Sequence, residues 1–214
     1  MRRYMAITLA VSLFGSAFSG VAAYSAVVHP APIHLTMTMK QKCPAWPSGT
    51  GILRDGDFSG AVAPPGLHYN EFSAGQRFAP DWRVRKRTVD MYDAYFPLPN
   101  GVCSIDLDGS QAGAIVHSGF ATTPGASYTV AFLFSANGLS GPTVKTLLVL
   151  AAGQSQQYTW DISTQGDVEN GDYETESWTF QATASSTRLI FESLDPKNSL
   201  SGPVVAAISV TENT

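Results

Sequence analysis

Charged residues are scarce in this chain, and basic residues are fewer than acidic ones. Of 214 residues, 14% are charged, with 13 Lys and Arg against 17 Asp and Glu, so the formal net charge is −4. A nucleic-acid-binding protein is disfavoured, because phosphate binding requires a basic field. The hydrophobic share of 44% is too high for a disordered chain, and the length suits one compact domain.

Long apolar runs are also lacking after the first 23 residues. The chain begins with two arginines near its start, an apolar run from Ile7 to Phe18 and small residues ending at Ala23, the pattern of a secretory signal peptide. The run is shorter than the roughly 20 residues that span a bilayer. We therefore expect a Sec-type leader over 1–23, a secreted protein in the periplasm or the extracellular space, and no membrane anchor.

Cysteine is nearly absent, with Cys43 and Cys103 as the two residues of this type. An exported protein occupies an oxidising compartment, in which two cysteines can pair. A disulfide between them would tie a Pro-rich arm over 24–50 to the body of the domain, and two unpaired thiols are the alternative. The domain itself is expected over 51–214.

Helical periodicity is missing after the leader, and short alternating or apolar runs separated by Gly, Pro, Asn, Asp and Ser predominate. The pattern predicts an all-β fold, an antiparallel jelly-roll β-sandwich of about nine or ten strands, with no internal repeat. The expected strands are Ile52–Arg54, Trp82–Val89, Val102–Leu107, Ala114–Phe120, Ser127–Ser135, Val144–Ala151, Gln156–Asp161, Ser177–Ala184, Thr187–Ser193 and Val204–Thr211, and the expected long loops are Ala63–Pro80 and Ser163–Thr175.

The motifs of the common enzyme classes are absent: there is no G-x-S-x-G elbow, H-E-x-x-H motif, P-loop or dinucleotide-binding glycine pattern. Asp106 and Asp108 share one strand face about 7 Å apart, which suits the paired carboxylates of glycoside hydrolysis. An Asp before Gly at a strand end also marks a turn whose carboxylates bind backbone groups or calcium. We favour the second interpretation and predict no enzymatic activity.

One basic cluster stands out in an otherwise acidic chain. Alternation places Arg83, Arg85 and Arg87 on one face of the strand that begins at Trp82. Arginine forks match carboxylates geometrically, so the stripe suits an anionic polymer. The alternative, at least as well supported by the sequence, is a solvated face that prevents aggregation or pairs with nearby acids.

Aromatic residues in predicted loops give a second indication of binding. Tyr69 lies in a long loop, and Tyr92 and Tyr95 lie between strands, where exposed rings stack on sugar faces. The alternative places Tyr92 and Tyr95 in the core with their hydroxyls at its rim. The tryptophans in or beside predicted strands are expected in the core: Trp82, Trp160 and Trp178.

Six blocks, read in order, resemble a known family: GILRDGDFS, DWRVRKRTVDMYD, SIDLDGSQAGAIVHSGFATTPGASYTVAFLFSANG, VKTLLVLAAGQSQQYTWD, ESWTFQATASSTRLIFESL and SGPVVAAISV. They cover Gly51 to Val210 and are similar to the choice-of-anchor C family of bacterial secreted proteins and to the plant cell-wall family called domain of unknown function 642. The resemblance implies a galactose-binding-like β-sandwich that is exported, non-catalytic and associated with cell walls or extracellular polysaccharide.

The chain departs from this family at two acidic positions. Family members close the first block with Asn-Gly-x-Phe-Glu and the last with Gly-Pro-x-x-Asp-Asp/Asn, and related sandwiches use these acids near a structural calcium. Ser59 and Ala206-Ala207 stand there in this sequence. Because calcium requires hard oxygen donors, we expect the calcium site to be weak or absent and the protein to have no cofactor.

The leading hypothesis is a secreted, monomeric, non-catalytic β-sandwich that binds a polysaccharide or another glycan. An extracellular structural or protein-interaction module without sugar binding is the alternative, and a polysaccharide hydrolase ranks last. No catalytic or metal-ligating residue is predicted. The candidate ligand-binding residues are Tyr69, Arg83, Arg85, Tyr92, Asp93, Tyr95, Asp106 and Asp108.

Overall fold

The computed structural model describes residues 51–59, 61, 69–92, 96, 98 and 103–214. Within these residues two antiparallel six-stranded sheets pack face to face, which confirms the predicted jelly-roll β-sandwich. The strand order of sheet I is β1 (Tyr69–Ser73), β4 (Thr88–Tyr92), β5 (Ser104–Asp106), β14 (Pro203–Glu212), β8 (Ser127–Ala136) and β11 (Glu174–Gln181). The order of sheet II is β10 (Gln154–Asp161), β9 (Val144–Ala151), β13 (Leu189–Ser193), β6 (Ala114–His117), β3 (Trp82–Lys86) and β2 (Arg77–Ala79).

The hydrophobic core lies between the two sheets and is built by alternation along the strands. In β8, Tyr128, Val130 and Phe132 are buried, while the residues between them are half-buried on the other face. Phe132 meets Phe191 of β13 edge to face, with ring centroids 5.1 Å apart. The predicted core positions of Trp82 and Trp160 are confirmed, and Trp178 is partly buried against the same core.

The remaining described elements are short. Strands β7 (Phe120–Ala121) and β12 (Ser186–Thr187) form a small antiparallel pair. Helix α1 (Ile162–Gln165) and a single 3-10 turn (Val168–Asn170) lie within the connection from β10 to β11. None of the helices in the described part of the chain is long and apolar enough to cross a membrane.

Several details differ from the sequence-based prediction. The single strand expected over Trp82–Val89 is two strands, because Arg87 has a φ of +50° and turns the chain from β3 in sheet II to β4 in sheet I. The loop expected over Ala63–Pro80 contains the short strands β1 and β2. No strand forms over Ile52–Arg54, although the Ile52 amide donates to the carbonyl oxygen of Val210.

Two loops at one end of the sandwich share a short sequence motif, although no internal repeat was predicted. Residues 137–144 read NGLSGPTV and residues 198–205 read NSLSGPVV, so both fit N-x-L-S-G-P-x-V. The loops lie side by side, since the hydroxyls of Ser140 and Ser201, at the same position of each motif, are 3.1 Å apart. We call them the paired loops. Leu139 and Leu200, also equivalent, are 66% and 59% exposed.

Candidate binding surface

The outer face of sheet II, turned away from the core, carries a row of residues that crosses all six strands. Pairing of neighbouring strands fixes the register of this row. With strands about 4.8 Å apart, the row is about 24 Å long. Its members, from β2 to β10, are Arg77, Arg83, Val116, Ile190, Leu150 and Ser155.

Three shallow depressions adjoin one another along this row. The first, of about 360 Å³, is lined by residues that include Arg83, Arg85, Val116 and Ile190. The second, of about 200 Å³, reaches Arg77 and Asp81. The third, of about 350 Å³, extends over Leu150 towards Ser155. Arg188 lines all three depressions, so they form one continuous surface, which we call the arginine groove.

The charged side chains of the arginine groove are unevenly paired. Glu192 accepts from Arg85 Nη1 at 3.2 Å and from Lys86 Nζ at 2.5 Å. Arg83 and Arg188 are exposed and form no ion pair with any residue that the structure describes. Arg87, predicted to extend the stripe, instead donates from Nη1 to the carbonyl oxygen of Ala112 at 3.0 Å. Within the described residues, the groove arginines with neither an ion pair nor a side-chain hydrogen bond are therefore Arg83 and Arg188.

The outer face of sheet I brings together a different group of predicted residues. Tyr69 pairs with Tyr92 across β1 and β4, with ring centroids 5.4 Å apart, and Tyr92 packs on Phe96 at 4.3 Å. Tyr69 is 49% exposed, but Tyr92 is buried together with Phe96 and Val168 in a small second cluster. Of the two tyrosines, only Tyr69 presents its ring to solvent.

Carboxylates lie in register beside these tyrosines. Glu71, Asp90 and Asp106 are directly opposite one another on β1, β4 and β5. Burial and the charge of Glu71 raise the pKa of Asp90 to about 7. Burial and the charge of Asp108 raise the pKa of Asp106 well above its usual value.

Asp106 and Asp108 are completely buried, which places them in the structural role that the sequence favoured. Asp106 Oδ1 accepts from the amides of Asp108 at 2.8 Å and Gly202 at 3.0 Å, and Oδ2 accepts from Asn137 Nδ2 at 2.9 Å. The Asp108 carboxylate lies so close to Gly202 that a Cβ there would be 2.3 Å from its Cγ. Asp106 therefore holds both paired loops, and the burial of the two carboxylates closes them to a polymeric ligand.

A buried lysine completes this cluster. Lys145 of β9 is fully buried, and its ammonium donates to the carbonyl oxygens of Ser140 at 2.6 Å and of Ser201. Asp195 Oδ2 is 3.9 Å from Lys145 Nζ, and Asp195 Oδ1 accepts from the Thr146 amide. Burial lowers the pKa of Lys145 and raises that of Asp195 to about 6. Lys145 therefore joins equivalent carbonyls of the two paired loops.

A cavity of about 330 Å³ corresponds to the calcium position implied by the resemblance. It is lined by residues that include Asp55, Asp57, Ser59 and Ala207. Ala206, by contrast, is buried on the outer face of sheet I beside Leu98. Within the described residues no group of three or more His, Cys, Asp or Glu is placed to hold a metal ion. The expected weakness of a calcium site here stays a prediction.

The predicted leader over 1–23 and arm over 24–50 lie outside the described residues, and so do three residues predicted to bind a ligand or to form the disulfide. Asp93 and Tyr95 are two of them, and Cys43 is the third. Cys103 is fully buried beside the core. The ligand-binding roles of Asp93 and Tyr95 and the pairing of Cys43 with Cys103 stay predictions.

Residues 51–211 match the family described as Protein of unknown function (DUF642). The chain belongs to the DUF642 family. The six sequence blocks that carried the resemblance cover almost the same residues, so that part of the sequence analysis is confirmed.

One curated relative and several solved structures are similar to this DUF642 chain. Halomucin from Haloquadratum walsbyi is 24% identical over 148 residues, which are 69% of this chain and 2% of Halomucin, so the match spans a small part of that relative. The CBM35 from Cellvibrio japonicus Abf62 is 14% identical with a TM-score of 0.46, over 68% of this chain and 95% of its own. A CBM4 structure is 13% identical with a TM-score of 0.43, over 74% and 98%. These solved structures are carbohydrate-binding modules.

Two residues that shape the surfaces of this DUF642 chain were not predicted from sequence. Arg188 joins the arginine groove because β13 pairs with β6, which no local pattern reveals. The burial of Lys145 was predictable from the sequence. Lys145 lies on the same face of β9 as Leu147, Val149 and Ala151, all of which are buried, so alternation places its side chain inward.

Proposed function

We propose that this DUF642 chain is an exported, non-catalytic protein that binds carbohydrate, and that the arginine groove is its binding surface. The observation that carries the proposal is the exposure of Arg83 and Arg188, without ion pairs among the described residues, along a continuous groove that crosses sheet II. Exposed guanidinium groups without an ion pair are free to bind an external ligand.

The chemistry of the arginine groove suits a sugar chain. Half-buried Leu150 and Ile190 and buried Val116 form an aliphatic floor against which the C–H faces of sugar rings can pack. The guanidinium groups of Arg83 and Arg188 offer several N–H donors in a fixed plane to hydroxyl or carboxylate oxygens. An open groove about 24 Å long accommodates several consecutive sugars of a polymer.

The position of the carboxylates supports the proposed lack of catalysis. Asp106 and Asp108, the pair considered for hydrolysis, are fully buried, and Asp106 accepts three hydrogen bonds from neighbouring groups. A hydrolase needs two carboxyl groups that reach opposite sides of a glycosidic bond. Export is inferred from the leader pattern over 1–23, and places the protein in the periplasm or outside the cell.

The proposal is tested by measuring retention of the purified protein in native gels that contain a series of neutral and acidic polysaccharides. We expect at least one polysaccharide to retard the protein. The double variant Arg83→Ala, Arg188→Ala should lose the retardation, while Lys197→Ala, an exposed charge in the loop after β13, should keep it. Retardation that is equal in all three proteins would contradict the placement of the surface.

A protein-interaction module is the second candidate function. It is favoured by Leu139 and Leu200, the exposed leucines of the paired loops. Large apolar side chains exposed on two neighbouring loops offer a contact surface for another protein. No retardation by any polysaccharide, combined with capture of an extracellular protein that Leu139→Ser and Leu200→Ser abolish together, would favour this candidate.

A further inference from the structure

We infer that the ligand of the arginine groove is a polysaccharide that carries carboxylates, that is, a polymer containing uronic acids. This inference rests on the proposed function, because it specifies the class of sugar that the same surface binds. It depends on three features of the groove: its charge, its position in the sheet and the pairing state of its arginines.

The charge of the groove is opposite to that of the chain. The whole protein has a formal net charge of −4. On the groove and its rim, basic residues outnumber acidic ones. The basic residues are Arg77, Arg83, Arg85, Lys86 and Arg188, and the acidic ones are Asp81 and Glu192. A local positive field of this kind attracts anionic polymers and repels cationic ones.

Neither acidic residue forms an ion pair with Arg83 or Arg188 within the described residues. Glu192 is shared by Arg85 and Lys86. Asp81 Oδ1 accepts from the hydroxyl of Ser118 at 3.0 Å. Arg83 and Arg188 line the same two depressions and retain their donors for an external group. A carboxylate on a sugar ring is planar and accepts two parallel N–H bonds from a guanidinium fork.

The position of these arginines argues against a purely protective role. Charged residues that prevent edge-to-edge aggregation belong on edge strands. The edges of sheet II are β2 and β10, whereas Arg83 lies on β3 and Arg188 directly precedes β13, both interior strands. Aggregation control therefore does not require Arg83 or Arg188.

The test compares polygalacturonate with the same polymer after methyl esterification, which removes the charge and keeps the backbone. The full protein should bind polygalacturonate at least about tenfold more tightly than the ester. Raising NaCl from about 50 to about 500 mM should weaken binding by about tenfold or more, because exposed charges are screened. Arg83→Ala and Arg188→Ala should each weaken binding several-fold, and Lys197→Ala should not.

Further arms separate the possible failures. If the ester or a neutral glucan binds as tightly as polygalacturonate and the Arg83→Ala, Arg188→Ala variant loses it, the proposed function stands and the uronic-acid inference is wrong. If dextran sulfate or a single-stranded oligonucleotide binds more tightly than polygalacturonate, the ligand class is also wrong. If no polysaccharide binds, both proposals fail. Arg83→Lys, which keeps the charge and removes the fork, should bind polygalacturonate more weakly than the natural protein.

Discussion

Replacing Lys145 by methionine should destabilise the protein severely, because the ammonium is buried and holds the two paired loops together. The change keeps most of the volume and removes the ammonium that joins the carbonyl oxygens of Ser140 and Ser201 and faces Asp195. Removing one partner of a buried ion pair costs about 3–5 kcal/mol, because the other partner stays buried and uncompensated. For a domain of this size that loss lowers the melting temperature by roughly 10 °C.

The assay is thermal unfolding followed by circular dichroism, with Lys197→Met as the matched control. Lys197 is exposed in the neighbouring loop, so the same substitution there should change the melting temperature by about 1 °C or less. The penalty of Lys145→Met should be smaller at about pH 5 than at about pH 8, because protonation of Asp195 removes its uncompensated charge. A Lys145→Met protein that melts within about 2 °C of the natural protein at about pH 8 would refute this role.

Three further predictions concern pH, calcium and the cysteines. The raised pKa values of Asp90 and Asp195, about 7 and about 6, mean that the folded state holds protons that the unfolded state has released, so stability should fall as pH rises from about 4 to about 7. Asp90→Asn should reduce this fall in melting experiments, and an unchanged pH profile would contradict the burial argument. Sub-millimolar calcium should leave the melting temperature unchanged, and a large upward shift would show that the cavity beside Ser59 binds the ion after all. Cys43 and Cys103 are predicted to form a disulfide, and its reduction should destabilise the protein by about 4 kcal/mol. Free thiols detected by alkylation of the unreduced protein would disprove the pairing.

Alternation of apolar and polar residues predicted the fold class and most strands, because each strand of two packed sheets turns one apolar face to the core. In β8, half-buried and buried residues alternate from Ser127 to Phe134, and Ser135 and Ala136 are then both buried. The end of β3 was not predicted from the sequence. Arg87 continues the alternation of arginines along the strand, and yet it adopts a φ of +50° where the chain passes from one sheet to the other. A left-handed conformation at a residue other than glycine has no reliable sequence signal.

The candidate surfaces depended on strand pairing, which the sequence does not contain locally. Arg83 was recognised from its neighbours along the chain, whereas Arg188 reaches the same depression only through the order β3, β6, β13. Alternation along β5 places Asp106 on the outer face of sheet I, but residues from other segments, including Phe96 and Val168, cover that face. Its burial follows from tertiary packing alone.

The most direct test of the arginine groove as the binding surface is a titration of the isotope-labelled protein with oligogalacturonate, followed by amide chemical shifts in NMR spectra. Saturable shifts should concentrate in β3, β6 and β13 around Arg83, Val116 and Arg188. Shifts that concentrate instead around Tyr69 on sheet I or at the paired loops, with those three strands unchanged, would contradict the account.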